Sequence, residues 1–233
     1  QDVRTIEKAM ELVAKTVVPT EKEPLRIVLD EGVHEIVGYT DELYNRTILH
    51  IPCSHITFIG KGKDKTTICG GFRVDNRQNV RFEGLALTNS NGVGFYLYGR
   101  ETTVDVLKCI VKECRHEYQG SDVVSGANGM FVDEGATVTA KQCEFTENGH
   151  HGVDCGFATR VRLTDCAMHH NGKNGLTAYE HAVVDLHGTK TDIHSNRRYG
   201  IRASSRAKVN IHLPSHRTVG DTQKHWDDGS IAN

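Results

Sequence analysis

A chain of 233 residues with 28 lysines and arginines against 30 aspartates and glutamates has a net charge of -2, which excludes a surface built throughout for nucleic-acid phosphates. The hydrophobic fraction of 37%, supplemented by 23 glycines, suffices for a dry core, and no apolar run approaches the roughly 20 residues of a membrane-spanning helix. Seven cysteines, in neither CxxC pairs nor zinc-finger spacing, argue for reduced core thiols over a disulfide framework.

Residues 1–18 place Ile6, Ala9, Met10, Leu12 and Val13 on one side, with Arg4, Glu7, Lys8 and Glu11 mostly on the other. This is the pattern of an amphipathic helix, suited to capping the open end of a stack of repeats. After Pro19 and Pro24 the chain turns to short strands: RIVLDEG, TILHI, HITFIGKG and TTICGG. Regular coils begin at Asn79. The interval from Gly92 to Gly129 is 37 residues, and its excess falls at 115–127, RHEYQGSDVVSGA. Insertions in solenoids form loops on one face, often the binding face.

From Asn128 to Ala207 the chain repeats itself. Gly129, Gly152, Gly175 and Gly200 open successive segments at intervals of 23, 23 and 25 residues. Alternation within each segment assigns Met130, Val132, Val153, Cys155, Leu176, Ala178, Ile201 and Ala203 to the inside of one strand. Val138, Ala140, Val161, Leu163, Val184 and Leu186 face inward from a second. Cys143, Phe145, Cys166, Met168, Thr191 and Ile193 do so from a third. Asn148, Asn171 and Asn196 recur in register at a corner, the arrangement of an asparagine ladder. The spacing predicts an all-β, single-stranded parallel β-helix: a solenoid of three sheets with ~23-residue coils over 26–212 and an N-terminal α-helical cap. One domain spans 1–233, with 213–233, which include Trp226, read as a C-terminal cap or linker.

The order of TIEKAMELV, DEGVHEI and ITFIGKGKDKTTICGG, with the turn Gly60-Lys61-Gly62 followed by Thr66 and Thr67, is similar to the N-terminal entry of the right-handed parallel β-helix proteins, the pectin-lyase-like superfamily. With the repeats, the resemblance covers roughly residues 1–215. It implies the right-handed fold. It leaves activity open, since that superfamily includes lyases, hydrolases, epimerases, esterases, viral proteins and non-catalytic repeat modules.

Stacked coils turn repeated positions into outer columns. One corner column reads His150, Lys173 and Arg198, beside His151, Asn174 and Tyr199. The adjoining strand presents Phe131, Asp154, Thr177 and Arg202, with Asp133, Tyr179 and Glu180 just beyond. Such a strip suits an extended acidic polysaccharide, whose carboxylates recur at intervals that cations on neighbouring coils can meet. Asp154, Tyr179, Arg202 and His151 are the candidate catalytic residues: Arg202, or Lys173, neutralises a uronate, His151 or Tyr179 exchanges a proton, and Asp154 orients a base. Phe131, Asp133, His150, Lys173, Glu180 and Arg198 are the candidate substrate contacts. Hydrolysis would instead need a carboxylate pair, for which Asp133 and Asp154 stand on adjacent coils. The competing readings are a non-catalytic carbohydrate-binding module, which keeps the groove without a converging base, and a structural or protein-interaction β-helix, a virion component or repeat adaptor whose outer charges only keep it soluble.

The signatures of characterised relatives are missing: no RxPxxR, no YGxDPH, and GHHG at 149–152 only superficially like GHG. No cofactor is expected, with calcium between Asp133, Asp154 and a saccharide carboxylate the one exception considered. His169 with His194, and His187 with His212, fall on adjacent coils at a spacing able to chelate zinc or copper, but no third ligand is evident. The expected partner is a polysaccharide, without nucleic acid or membrane, and a homo-oligomer is left open. The sequence does not name a compartment; an extracellular or virion-associated setting is the one it leans toward.

Overall fold

The computed structural model describes residues 5–16, 18–37, 40–41, 46–89, 91–115, 127–212 and 224–232. Three β-sheets run along the molecule, and from Leu25 to Ser204 each coil gives a strand to each sheet. Among the described residues the first sheet has nine strands, from Leu25–Val28 to Ser230–Ala232. By the same reckoning the second has nine described strands, from Thr40–Asp41 to Lys224–Asp227, and the third has seven, from Gly32–Glu35 to Asp192–His194. A representative coil reads Met130–Asp133 in the second sheet, Thr137–Lys141 in the first and Glu144–Thr146 in the third. Pairing between coils is parallel and in register, so that Met130, Val153, Leu176 and Ile201 form one continuous row. Among the described residues, Thr40–Asp41 pairs antiparallel with Arg46–His50, and Ser204 forms an isolated antiparallel bridge with Asp228.

The inward residues expected from the alternation are buried, and all but the polar Thr191 belong to a single apolar cluster. Toward the N-terminal end, Phe58, Phe72, Phe82 and Phe95 stack within it, with ring centroids 5.2, 4.8 and 4.9 Å apart from one phenylalanine to the next. The helix Ile6–Thr16 lays Ile6, Ala9, Met10 and Val13 against the same cluster. It closes the end of the solenoid, where the first coil has no preceding coil to pair with. No helix among the described residues is long and apolar enough to cross a membrane.

The corners explain the repeat. Asn148 and Asn171 form a ladder with Asn196: Nδ2 of Asn148 donates to Oδ1 of Asn171 at 3.0 Å, and Nδ2 of Asn171 to Oδ1 of Asn196 at 2.9 Å. Each amide also reaches the backbone of the coil before it, at Val111, Phe145 and Met168. The residue before each asparagine (Glu147, His170, Ser195) is left-handed, with φ of 54 to 55°, which swings the side chain into the turn. A Cβ at Gly152 would stand 2.7 Å from the carbonyl oxygen of Gly175 and 2.9 Å from Nδ2 of Asn171. The opening glycine is therefore required by close approach to the ladder.

All seven cysteines are free. Cys109, Cys143 and Cys166 stack at another corner, each thiol within 3.3 to 3.7 Å of a carbonyl oxygen from the preceding coil. Burial pushes the Cys109 thiol up to about 11, so it is present as a neutral donor. Of the inserted loop at 115–127, only Arg115 and Ala127 lie within the described residues, so its expected place on the binding face falls outside them. Beyond His212, where the repeat fades from the sequence, Lys224–Asp227 and Ser230–Ala232 extend the second and first sheets by one parallel strand each.

Candidate functional site

A surface groove of about 450 Å³ opens on the outer face of the second sheet, at its corner with the third. It is lined by Phe131, His150, His151, Asp154, Lys173, Thr177, Tyr179, Arg202, Ser204 and Ser205. Register puts Phe131, Asp154, Thr177 and Arg202 side by side on successive strands. Backbone bonds from Lys173 to His150 and from Arg198 to Lys173 place those three in the corner column. These outward positions differ from an ordinary solvated sheet face in being covered: Phe131, Asp154 and Thr177 are 8, 7 and 6% exposed. From the corner, Nδ2 of Asn128 donates to Asp154 at 3.1 Å and Nδ2 of Asn174 to Thr177 at 2.9 Å.

Burial sets the chemistry. Asp154 is lifted from 3.8 to about 7, chiefly by loss of solvent; the hydrogen bond from Asn128 and the charges of Lys173 and Arg202 pull in the opposite direction. One of its oxygens, Oδ2, accepts from Nδ2 of Asn128 at 3.1 Å. The other, Oδ1, is buried with no hydrogen-bond partner among the described residues. Burial, reinforced by Lys173 and Arg198, lowers His150 to about 4. Burial, with His150 and Lys173 next, lowers His151 to about 2. Both imidazoles are therefore neutral at physiological pH.

Their protons can be placed. Oδ1 of Asn128 accepts from the His151 amide at 3.0 Å and lies 3.1 Å from Nδ1 of His150. An amide oxygen cannot donate, so His150 carries its proton on Nδ1 and holds a lone pair on Nε2, which is buried and unpartnered among the described residues. Nδ1 of His151 accepts the backbone amide of Asn174 at 3.2 Å, which leaves the proton of His151 on Nε2. Asn174 in turn accepts the amide of Tyr199 at 3.2 Å. His151 thus takes an asparagine's place in a second ladder, Asn128–His151–Asn174, and only its Nε2 remains for proton exchange.

Of the ten candidates, the groove gathers Phe131, His150, His151, Asp154, Lys173, Tyr179 and Arg202. Asp133, Glu180 and Arg198 lie off its lining. Oδ1 of Asp133 holds a turn by accepting the amides of Glu134 and Phe157, both at 2.8 Å. Glu180 is exposed beside a separate depression near Phe157 and Arg206. Arg198 is exposed and acts on the site through its charge on His150. Tyr179 is held well above the usual phenol range by burial and by Asp154 and Asp133. A side chain at Gly156 would fall 2.5 Å from Oδ1 of Asp133 and 3.0 Å from the Tyr179 hydroxyl, so this glycine makes the room in which they stand.

The profile of the family described as "Right handed beta helix region" matches residues 68–213, more than half of the chain. The chain belongs to that family. No curated protein sequence matches this β-helix. Among solved structures it is similar to the Agl-KA catalytic domain, at TM-score 0.61 and 16% identity over 100% of this chain and 46% of that one. It is also similar to ORF18 of Geobacillus virus E2, at TM-score 0.57 and 11% identity over 99% of this chain and 59% of that one. Pectin methylesterase from carrot aligns at TM-score 0.52 and 12% identity, over 98% and 80% of the two chains. At these identities the likeness is one of fold, and this chain spans about half the length of the first two.

The β-helix also carries site features that reading from Asn128 onward missed. In the same outward column, before Phe131, stand Arg73 and Tyr96. Tyr96 lies 5.2 Å from the Phe131 ring, and the Arg73 guanidinium packs over Tyr96 and Tyr98 at 5.4 and 4.7 Å. The Tyr98 hydroxyl donates to Asp75 at 2.6 Å. The alternation in FYLY was the available signal, but the long insertion hid that it belongs to the same column.

Proposed function

We propose that this β-helix binds an acidic polysaccharide along the outer face of the second sheet and acts on a uronate unit at Asp154, by β-elimination or C5 epimerisation. The observation that carries this reading is a buried carboxyl with a pKa of about 7 and one unpartnered oxygen, in a groove shared with Lys173 and Arg202. Abstraction of a proton beside a carboxylate needs that carboxylate neutralised, a base near its own pKa, and an acid for the leaving oxygen or the opposite ring face. Lys173 and Arg202 supply the positive charge. Asp154, close to half-ionised near neutral pH, offers its unpartnered Oδ1 as the base, and the phenol of Tyr179 returns a proton. Six outward positions from Arg73 to Arg202 span about 24 Å at the spacing of parallel strands, room for several sugars. Tyr96 and Phe131 offer ring faces along that path.

The test is a screen of uronate polymers for binding, for the absorbance of unsaturated products and, by NMR, for inversion at C5. Asp154→Asn is expected to retain binding and lose turnover; Arg202→Ala and Lys173→Ala are expected to weaken both. No product, no binding and no effect of Arg202→Ala would sink the reading and leave the structural alternative.

A further inference from the structure

The outer face of the first sheet carries a cluster that the groove does not use. Asp185 and His187 are two residues apart on Val183–His187 and so point the same way. His212 is the in-register neighbour of His187 on Lys208–His212. Potential ligand atoms of all three lie within 4.8 Å of one another. The two imidazoles stack with centroids 4.4 Å apart and planes 10° from parallel. Nε2 of His212 stands 3.4 Å from Oδ1 of Asp185, and Nε2 of His187 is shielded from solvent with no hydrogen-bond partner among the described residues.

We propose that Asp185, His187 and His212 bind a divalent first-row transition-metal ion between two coils. Ligands bonded at about 2.0–2.2 Å around a tetrahedral centre stand about 3.4 Å apart, the separation already present between His212 and Asp185. Rotation of His187 closes the third side. Two imidazoles and one carboxylate select zinc, copper or nickel over magnesium or calcium and leave a fourth position for water. Asn210 donates to Oδ1 of Asp185 at 2.9 Å and so orients the carboxylate, as outer partners of metal ligands do. Arg162, in register with Asp185 on the other side, opposes a dication and limits the affinity. The second histidine pair, His169 and His194, stacks similarly at 4.9 Å. There, however, His169 is engaged at both nitrogens, by Thr146 and His170 at one and Glu144 at the other.

The experiment is titration of the untagged, chelator-treated chain with Zn²⁺ by calorimetry, and with Co²⁺ by visible absorption. One equivalent per chain and a tetrahedral cobalt spectrum are expected. His187→Ala and His212→Ala are each expected to weaken Zn²⁺ by more than about 100-fold, and Asn210→Ala by about 10-fold, since outer-shell losses cost roughly 10–100-fold. Circular dichroism checks folding, and the exposed His212 carries the test should His187→Ala fail to fold. Three results overturn the proposal: no binding, binding unchanged in His212→Ala, or binding lost in His169→Ala and His194→Ala instead.

Discussion

Nδ2 of Asn128 donates to Oδ2 of Asp154 across a coil boundary at 3.1 Å, and it is the only hydrogen bond the buried carboxyl receives among the described residues. Asp154 consequently folds with a pKa of about 7 against an ordinary 3.8. Between those values the unfolded chain gives up its proton first, so this group lowers stability as pH rises from about 4 to 7 and keeps it low above. Asp154→Asn removes that slope. The variant is expected to be more stable than the parent by on the order of 2–4 kcal/mol at pH 8, with no comparable gain at pH 4. Denaturant unfolding at the two pH values checks this; a gain independent of pH contradicts it.

The histidines give the opposite limb. His150 and His151 fold with pKa values of about 4 and 2, below their ordinary 6.5, so the unfolded chain takes up protons first and stability falls as pH drops below about 6.5. His151→Asn can present Oδ1 to the Asn174 amide, as Asn128 and Asn174 do for their own neighbours. It is expected to hold stability within about 1 kcal/mol at neutral pH and to flatten the acid limb. His151→Ala, which orphans a buried amide, should cost about 1–3 kcal/mol. Equal losses in both variants would show that the ladder role is misassigned.

The central rung of the asparagine ladder tests the fold. Asn171 accepts from the backbone and side chain of Asn148 and donates to Phe145 and Asn196. Asn171→Ala leaves several buried polar groups unpaired at once and is expected to cost about 3 kcal/mol or more in urea unfolding. A loss below about 1 kcal/mol would mean that the corner relaxes without it.

Thiol chemistry reports on the interior. Cys109, Cys114, Cys143, Cys155 and Cys166 are buried, while Cys53 and Cys69 are only partly so. Burial also pushes Cys114 up to about 12, far from the thiolate that reacts. Titration of the native chain with a disulfide reagent is expected to modify no more than Cys53 and Cys69, and all seven in denaturant. Rapid native reaction at Cys143 or Cys166 would contradict the stacked thiol corner.

The repeating pattern of glycine, alternating apolar residues and asparagine by itself determined the coil length, the three sheets, the inward rows and the ladder of Asn148, Asn171 and Asn196. Each of these depends on what a residue does within one turn of chain and against its identical neighbour in the next, so periodicity carries the information. It also put Phe131, Asp154 and Arg202 in one outer column. Only the tertiary structure decided which members of the columns share a groove, because that depends on which side chains reach across from the corner. Asp154 and His151 read as surface groups in the sequence. In the folded chain both lose their water, and that loss, which no spacing records, makes one a near-neutral acid and the other a ladder rung. Asp185 joins His187 and His212 for a related reason: the three converge from two coils 25 residues apart, by a register that the sequence suggests but only stacked strands bring into contact.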